Sequence, residues 1–340
     1  MKIDLAVIGQ GAVSPAGTGL NALLHHEPVP VPVSVAALGQ PGQSWPVLRV
    51  DLNDPALARW QSESRLRRAS SISFFLVEAA EQALAGVSPA DRAKTGIIVA
   101  FSAGCVSYSR RFFEGIVTQG TASPALFPET VFNSPVSHVV SVLGLNGAAY
   151  ALVGDETAWV AALQIASVWL RQERVSQVLV LGAEEFDPIV LDAYRSARWL
   201  RRHNSAHGFL ASEGAGGILV RRATPKDARK ITIARDGFIY RTRKEASAAA
   251  QRLFCETDPA LPCVRSAEHN WLRSLEQKVT ANRPAIPTDN RPYLGEAFTA
   301  SAAWQTLRAL TCLDHHSPSL LLPIWGLNYQ LGLLEIENAK

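Results

Sequence analysis

Cysteine is scarce in this chain of 340 residues. Its four copies, Cys105, Cys255, Cys263 and Cys312, lie far apart and form no C-x-x-C pair. That excludes a disulfide-stapled scaffold and leaves reduced thiols as the expectation. Long apolar runs are also missing. No stretch approaches the ~18 residues of a spanning helix, so no membrane is expected. The opening MKIDLAVIGQG places Asp4 inside its apolar run, against a signal peptide, and the expected location is cytoplasmic. Charge of one sign is absent too: 33 basic and 30 acidic residues leave +3, too little to suggest nucleic acid as a partner. The histidine pairs His25–His26 and His315–His316 have no cysteine beside them, and adjacent residues point apart on regular elements, so neither a metal nor a cofactor is expected. GQGAVSPAG (9–17) begins like a dinucleotide fingerprint, but Ser14 stands where the third glycine belongs. No acid ends a second strand about 20 residues on.

What is present is apolar patterning. Hydrophobic residues make up 47% and charged residues 19% of the chain, a globular composition with a large core. The runs 4–9, 95–101, 177–183, 216–222 and 230–240 read as buried strands. Segments 71–87, closed by Gly86, 158–170 and 298–310 read as helices. Strand–helix alternation predicts a layered α/β protein. It divides into an N-terminal half, 1–225, and a weaker-patterned, shortened C-terminal half, 226–340, in one unit of 340 residues. The Pro- and Gly-rich stretch 26–46 reads as a surface connection with extended pieces.

Two features suggest chemistry. AFSAG (100–104) follows a strand and sets Ser102 where a nucleophile elbow carries its serine, with Asp187 and His207 later in the chain. A small-residue turn after a strand is the simpler explanation. The second feature is the pair Asp155 and Glu156, at the mouth of an almost wholly apolar helix. Arginine clusters at Arg65, Arg67 and Arg68, at Arg195, Arg198, Arg201 and Arg202, and at 240–244 read as solvated faces, one of which suits an acidic partner protein.

Six segments together resemble the β-ketoacyl synthases of the thiolase superfamily: GQGAVSPAG (9–17), FPETVFNS (127–134), GLNG (144–147), LVLGAEE (179–185), GFLASEGAGGILV (208–220) and WGLN (325–328). From Asn133 it is eleven residues to Gly144, fourteen to Gly147 and 23 to Glu156, the family spacing without a gap. The resemblance implies a five-layered αβαβα fold of two related halves that dimerises edge to edge. It also implies a cysteine heading the buried central helix, where the helix N-terminus favours the thiolate that attacks an acyl thioester. Two histidines of the second half would complete the site.

This chain departs from the family at each of those positions. The cysteine position holds Glu156, and the histidine of the family's "GH" pair corresponds to Glu296 in LGEAFTAS (294–301). CVRSAEHNWLRSLEQ (263–277) occupies the place of the other histidine, with Arg265 or His269 nearest, and Arg291 replaces a lysine. A glutamate would form an acyl anhydride too reactive to wait for a second substrate. Its stable role is an anion at a helix N-terminus, satisfied by backbone donors or a cation. Trp159, one turn on from Glu156, would fill acyl-chain space or serve as ordinary core.

The resemblance therefore implies a catalytically inactive, chain-length-factor-like subunit without independent activity. It would pair as a heterodimer with an active ketosynthase, meet an acyl carrier protein through that complex, and bound the acyl tunnel in polyketide synthesis, with aryl polyene systems the nearest setting. Val131, Phe132, Phe112, Ile116 and Leu327 are the expected tunnel or interface residues. Alternatives are a malonyl-carrier-protein decarboxylase and a serine hydrolase built on Ser102.

Overall fold

The computed structural model describes residues 4–34, 44–201, 207–284, 286, 293–313 and 318–338. The chain begins with β1 (Leu5–Ser14), β2 (Gly17–Thr18), α1 (Gly19–His25), β3 (Val31–Ser34), β4 (Ser44–Leu48), α2 (Pro55–Gln61), α3 (Ser71–Ala83) and α4 (Pro89–Arg92). It continues with β5 (Thr95–Phe101), α5 (Val106–Gln119), α6 (Asn133–Leu143), β6 (Ala149–Val153), α7 (Ala158–Arg171), β7 (Gln177–Glu184), α8 (Pro188–Ser196), β8 (Ala211–Ser212) and β9 (Gly214–Arg222). The second half supplies β10 (Arg229–Ile239), α9 (Arg243–Phe254), α10 (Asn270–Val279), α11 (Thr299–Leu313), β11 (Ser319–Trp325) and β12 (Gln330–Asn338).

The main sheet has the order β11-β12-β10-β1-β9-β7-β5-β6, with β2 paired to β1. Its two ends repeat one plan. In the first half β5 runs parallel to both β6 and β7, and β9 joins β7 antiparallel to β1. In the second, the segment at Cys263 runs parallel to β11 at Leu321 and hydrogen-bonds the Pro284 carbonyl on its other side. β12 then joins β11 antiparallel to β10. Helices fall at matching points: α3 and α9 follow the first strand of each half, and α7 and α11 precede the fourth. Among the described residues of the second half, the segment at Cys263 meets β11 by an isolated bridge where the first half has a full strand.

Layering follows from which faces are apolar. α3 and α6 cover the outer face of β1, β5, β7 and β9, in one core that includes Phe75, Leu76, Val99 and Leu181. α7 and α11 lie between the two ends of the sheet, sharing Trp159, Leu163, Trp304 and Leu307 with strands from both. α9 and α10 close the far side of β10 and β12, around Leu253, Leu272 and Leu333. The result is the αβαβα stack of a thiolase-type fold. α7 is apolar almost all round because sheet flanks it on both sides. α5 is the opposite: none of its fourteen residues is buried.

Each strand and helix read from the sequence is present within a few residues, with Gly86 in the left-handed turn after α3 (φ 80°). The stretch 26–46 holds β3 and β4, paired from Val31 opposite Val47 to Ser34 opposite Ser44. β4 is extended further by pairing with β8. No helix among the described residues is long and apolar enough to cross a membrane.

Candidate functional site

The site gathers where the parallel strands β5, β6 and β7 end and the two central helices begin. Asp155 and Glu156 occupy the turn from β6 into α7, and Glu296 immediately precedes α11. The two glutamates thus take corresponding positions in the two related halves. α11 is drawn onto the strand ends by Thr299, whose hydroxyl donates to the Ala100 carbonyl at 2.8 Å and to Ala183 at 3.2 Å.

Glu156 is 5% exposed. Its Oε2 accepts the Leu327 backbone N–H at 3.0 Å, and Oε1 has no partner among the described residues. Asp155 accepts the Asn328 N–H at 3.0 Å and the Thr157 N–H at 3.0 Å, and takes the Thr157 hydroxyl at 2.6 Å. The two acids therefore receive consecutive amides of the WGLN turn between β11 and β12, tying the second half of the chain onto the mouth of α7. Gly326 is required by this contact, since a Cβ there would stand 2.2 Å from Asp155 Oδ2. Gly326→Ala is expected to cost about 1–3 kcal/mol, as overpacking does, and to lower the melting temperature measured by circular dichroism.

Glu296 is equally dry, and its Oε1 accepts the Phe298 N–H at 2.7 Å. Burial pushes its carboxyl up to about 8, with the charge of Glu268 adding, against hydrogen bonds from Ser301 and Phe298. Burial also drives Glu156 well above the usual carboxylate range, and the charges of Glu296 and Asp155 push the same way. The positive ends of two helices do not offset this, because transferring a carboxylate from water costs more than a helix terminus returns. Burial thus favours the neutral acid at both positions, and a neutral acid is no nucleophile.

No thiol takes over that role. Burial holds Cys105, at the start of α5, at about 12 and raises Cys263 as well. Cys312 is buried in the central core, and the exposed Cys255 ends α9. Space beside Glu296 is also closed. Among the described residues, the cavity it shares with Glu184, Tyr194, Leu191 and Phe298 measures about 10 Å³, room for about one water at most. Tyr194 stacks between Trp199 at 5.9 Å and Phe298 at 5.3 Å. Its phenol is raised well above its ordinary value by burial and by Glu184, Glu156 and Glu296. Phe298 holds a left-handed backbone (φ 47°), a strained conformation for an aromatic residue that the surrounding packing must impose.

The sequence does not single out Glu184, Glu185, Tyr194 or Phe298. Glu184 accepts the Ser102 and Ala103 amides and is raised by burial to about 8. Glu185 takes the Ser107 hydroxyl at 2.7 Å and is raised by burial to about 7. The visible signal is the doublet of acids directly after a buried strand.

The other named residues are dispersed. Trp159 is fully buried in the central layer, its indole N–H donating to Thr306 of α11 at 2.9 Å, so its contacts are those of a core residue. Val131, Phe132 and Ile116 are exposed, and Phe112 packs against Phe113 and Phe127 on the same surface. Leu327 is buried above Glu156. Arg265 is exposed on a separate cleft. His269 caps α10 by accepting the Trp271 N–H, and burial, then Arg243 and Arg273, lower its basicity. Arg291, His315 and His316 lie outside the described residues. Among the described residues the Ser102 elbow has no triad behind it: Asp187 is committed to Arg110 at 2.9 Å and to the Ile189 amide, while the His207 ring meets Asn270. One H-x-x-x-H spacing does occur, His203 to His207, with His203 outside the described residues. Among the described residues no cluster of three or more His, Cys, Asp or Glu is arranged to hold a metal.

Comparison with known proteins agrees with this geometry. The family model for the β-ketoacyl synthase N-terminal domain matches residues 48–226. Among solved structures, the ishigamide ketosynthase/chain length factor superposes with a TM-score of 0.80 at 17% identity, covering 99% of both chains. A β-ketoacyl synthase from Burkholderia phymatum STM815 gives 0.78 at 14% identity over 100% of both. A ketosynthase in complex with its chain length factor, from Xenorhabdus doucetiae, gives 0.75 at 14%, covering 99% of this chain and 98% of that one. At these identities the likeness establishes the fold. A search of curated proteins returns no significant match. With more than half of its length matched by the family model, this chain belongs to the β-ketoacyl synthase family.

Proposed function

We propose that this protein is a non-condensing, chain-length-factor-like subunit that pairs with a cysteine-bearing ketosynthase and helps bound its acyl tunnel. The observation that carries this is the pair of buried carboxyls, Glu156 and Glu296, heading α7 and α11, with a cavity of about 10 Å³ among the described residues beside Glu296. A neutral acid there neither attacks a thioester nor stabilises an oxyanion as a cationic imidazole does. Decarboxylation of a malonyl group gains no support, since either acid, once ionised, repels the substrate carboxylate.

The partner is suggested by what the monomer leaves uncovered. α5, the turn Phe127–Thr130 and the edge strand β6 expose Phe113, Ile116, Val117, Phe127, Val131, Phe132, Tyr150 and Val153. β6 pairs on one side alone, with β5. An uncovered apolar face beside an open strand edge is what a partner subunit would bury. The Xenorhabdus structure, a ketosynthase bound to its chain length factor, provides the precedent for such a pair on this fold. An acyl carrier protein would reach this subunit through the complex, and aryl polyene synthesis is the pathway class we favour.

Co-expression with a ketosynthase encoded nearby, followed by size exclusion and product analysis, tests the proposal. A 1:1 complex is expected, and volume changes at Phe132 should alter product length while assembly persists. Elution of both proteins as separate species would count against it. Glu156→Cys alone is expected to give no condensation, because Glu296 still occupies the histidine position. Turnover of an acyl thioester by that variant without a partner would overturn the assignment of Glu296.

A further inference from the structure

α5 presents Phe113, Ile116 and Val117 to the proposed partner, yet its own seat on the protein is polar. None of its fourteen residues is buried, so no apolar stripe fixes its position as one does for most surface helices. The Phe112 ring meets Phe127, 5.8 Å away between centres, but Phe127 is itself exposed. Tyr108 reaches the Ala69 carbonyl at 3.5 Å and Ser109 the Thr130 carbonyl at 3.4 Å, both at the long limit of a hydrogen bond.

The short bonds come from a run of buried acids on the connection from β7 to α8. Glu184 accepts the Ala103 N–H at 3.0 Å, in the turn that leads into α5. Glu185 accepts the Ser107 N–H at 3.0 Å and the Ser107 hydroxyl at 2.7 Å, both on Oε1. Its Oε2 takes the Ile72 N–H at the start of α3, at 3.4 Å. Asp187 Oδ2 accepts Arg110 Nε at 2.9 Å, and Oδ1 accepts the Ile189 N–H at 2.9 Å as the cap of α8. On its solvent side Arg110 pairs with Glu114 at 2.8 Å. Ser107 and Arg110 stand three residues apart, so the two anchors meet one face of the helix across its first turn.

We propose that Glu185 and Asp187 are positioning residues of the assembly face, setting the pose of α5 against which the ketosynthase closes; this rests on the pairing proposed above. A helix seated by apolar burial resists displacement through buried area. One seated by hydrogen bonds gives way when a few of them open, each of modest net worth, and such segments open locally at low cost. Two anchors on one turn fix both the rotation of α5 and its distance from β7, which a single bond does not. Glu185 also serves α3 and Asp187 also serves α8, so the docking helix is registered to the elements on either side of it.

Amide hydrogen exchange on the single chain, read beside size exclusion of the co-expressed pair, tests this. Asp187→Asn keeps a cap for α8, since asparagine caps about as well as aspartate, and removes the charged acceptor from Arg110. The α5 amides of this variant should exchange about tenfold faster, the loss typical of a hydrogen bond to a charged group. Those of α8 and the central strands should stay as protected as in the parent. Ser107→Ala, which leaves Glu185 its two backbone donors, should act in the same direction. Each variant should weaken association with the ketosynthase about tenfold. Asp192→Asn, which breaks the ion pair with Arg195 on α8, should leave both readouts unchanged. Unaltered α5 exchange in Asp187→Asn would overturn the proposal. Loss of protection in α8 as large as in α5 would also overturn it, because Asp187 would then be a helix cap and nothing more. Faster α5 exchange with undiminished association would count against it equally, since the pose of α5 would not matter to the partner. Failure of the parent chain to pair falls on the ketosynthase reading and is seen before any variant is compared, whereas the exchange measurement decides the anchoring without a partner.

Discussion

Glu296→Gln is expected to melt well above the parent protein at pH 8 and at nearly the same temperature at pH 4. The buried carboxyl titrates near 8 in the folded chain and near its ordinary value of about 4.3 when unfolded. Between those pH values the native state holds more protons than the unfolded state, so stability falls as pH rises across the window. The penalty is absent below pH 4 and fully present above pH 8. Glutamine keeps the oxygen that accepts the Phe298 N–H and cannot ionise. Each kcal/mol recovered should appear as roughly 2–4 °C in melting temperature. Glu184, Glu185 and Glu268 are shifted the same way, so the variant should retain part of the parent's slope. A difference that is constant with pH, or that shrinks as pH rises, would show that Glu296 is not held neutral.

The second large effect concerns assembly. The double variant Phe113→Asp and Val117→Asp should fold as the parent does, because these side chains are 62% and 83% exposed in the single chain. Its melting temperature should move little, since exposed substitutions change stability by about half a kcal/mol at most. Association with the proposed ketosynthase partner should fall by at least about thirtyfold, the threshold for a central interface residue. Here the change also places two charges against an apolar surface. Size exclusion of the co-expressed pair would show two separate peaks. Unchanged co-elution would move the interface away from α5.

How much of this was legible in the sequence depends on the range of the contact. β1, α3, β5, α7 and β7 declare themselves through unbroken apolar runs, because each is covered on both faces or on a broad one. α9 and α10 do not: the Ala- and charge-rich RKEASAAAQRLF (243–254) buries little more than alanines, Leu253 and Phe254, and α10 buries Leu272, Leu275 and Glu276. β11 and β12 follow a stretch whose short strand pieces, near Cys263 and Pro284, consist of a few hydrogen bonds. That is too little to leave a periodic signal. At the site, family spacing locates Glu156 and Glu296. Nothing local reveals that the Leu327 amide, 171 positions away, closes on Glu156. Nor does it reveal that Tyr194 and Phe298 fill the space beside Glu296. Trp159 shows the same limit: three residues on from Glu156, its indole N–H donates to Thr306 of α11.

The most direct test is a condensation assay with acyl- and malonyl-carrier protein, run on the purified chain alone and on its complex with a cysteine-bearing ketosynthase. Product from the complex, and none above blank from the chain alone, is the predicted result. Chain elongation by the isolated protein would contradict it, because the carboxyls heading its two central helices would then have to do the work of a thiolate and an imidazole.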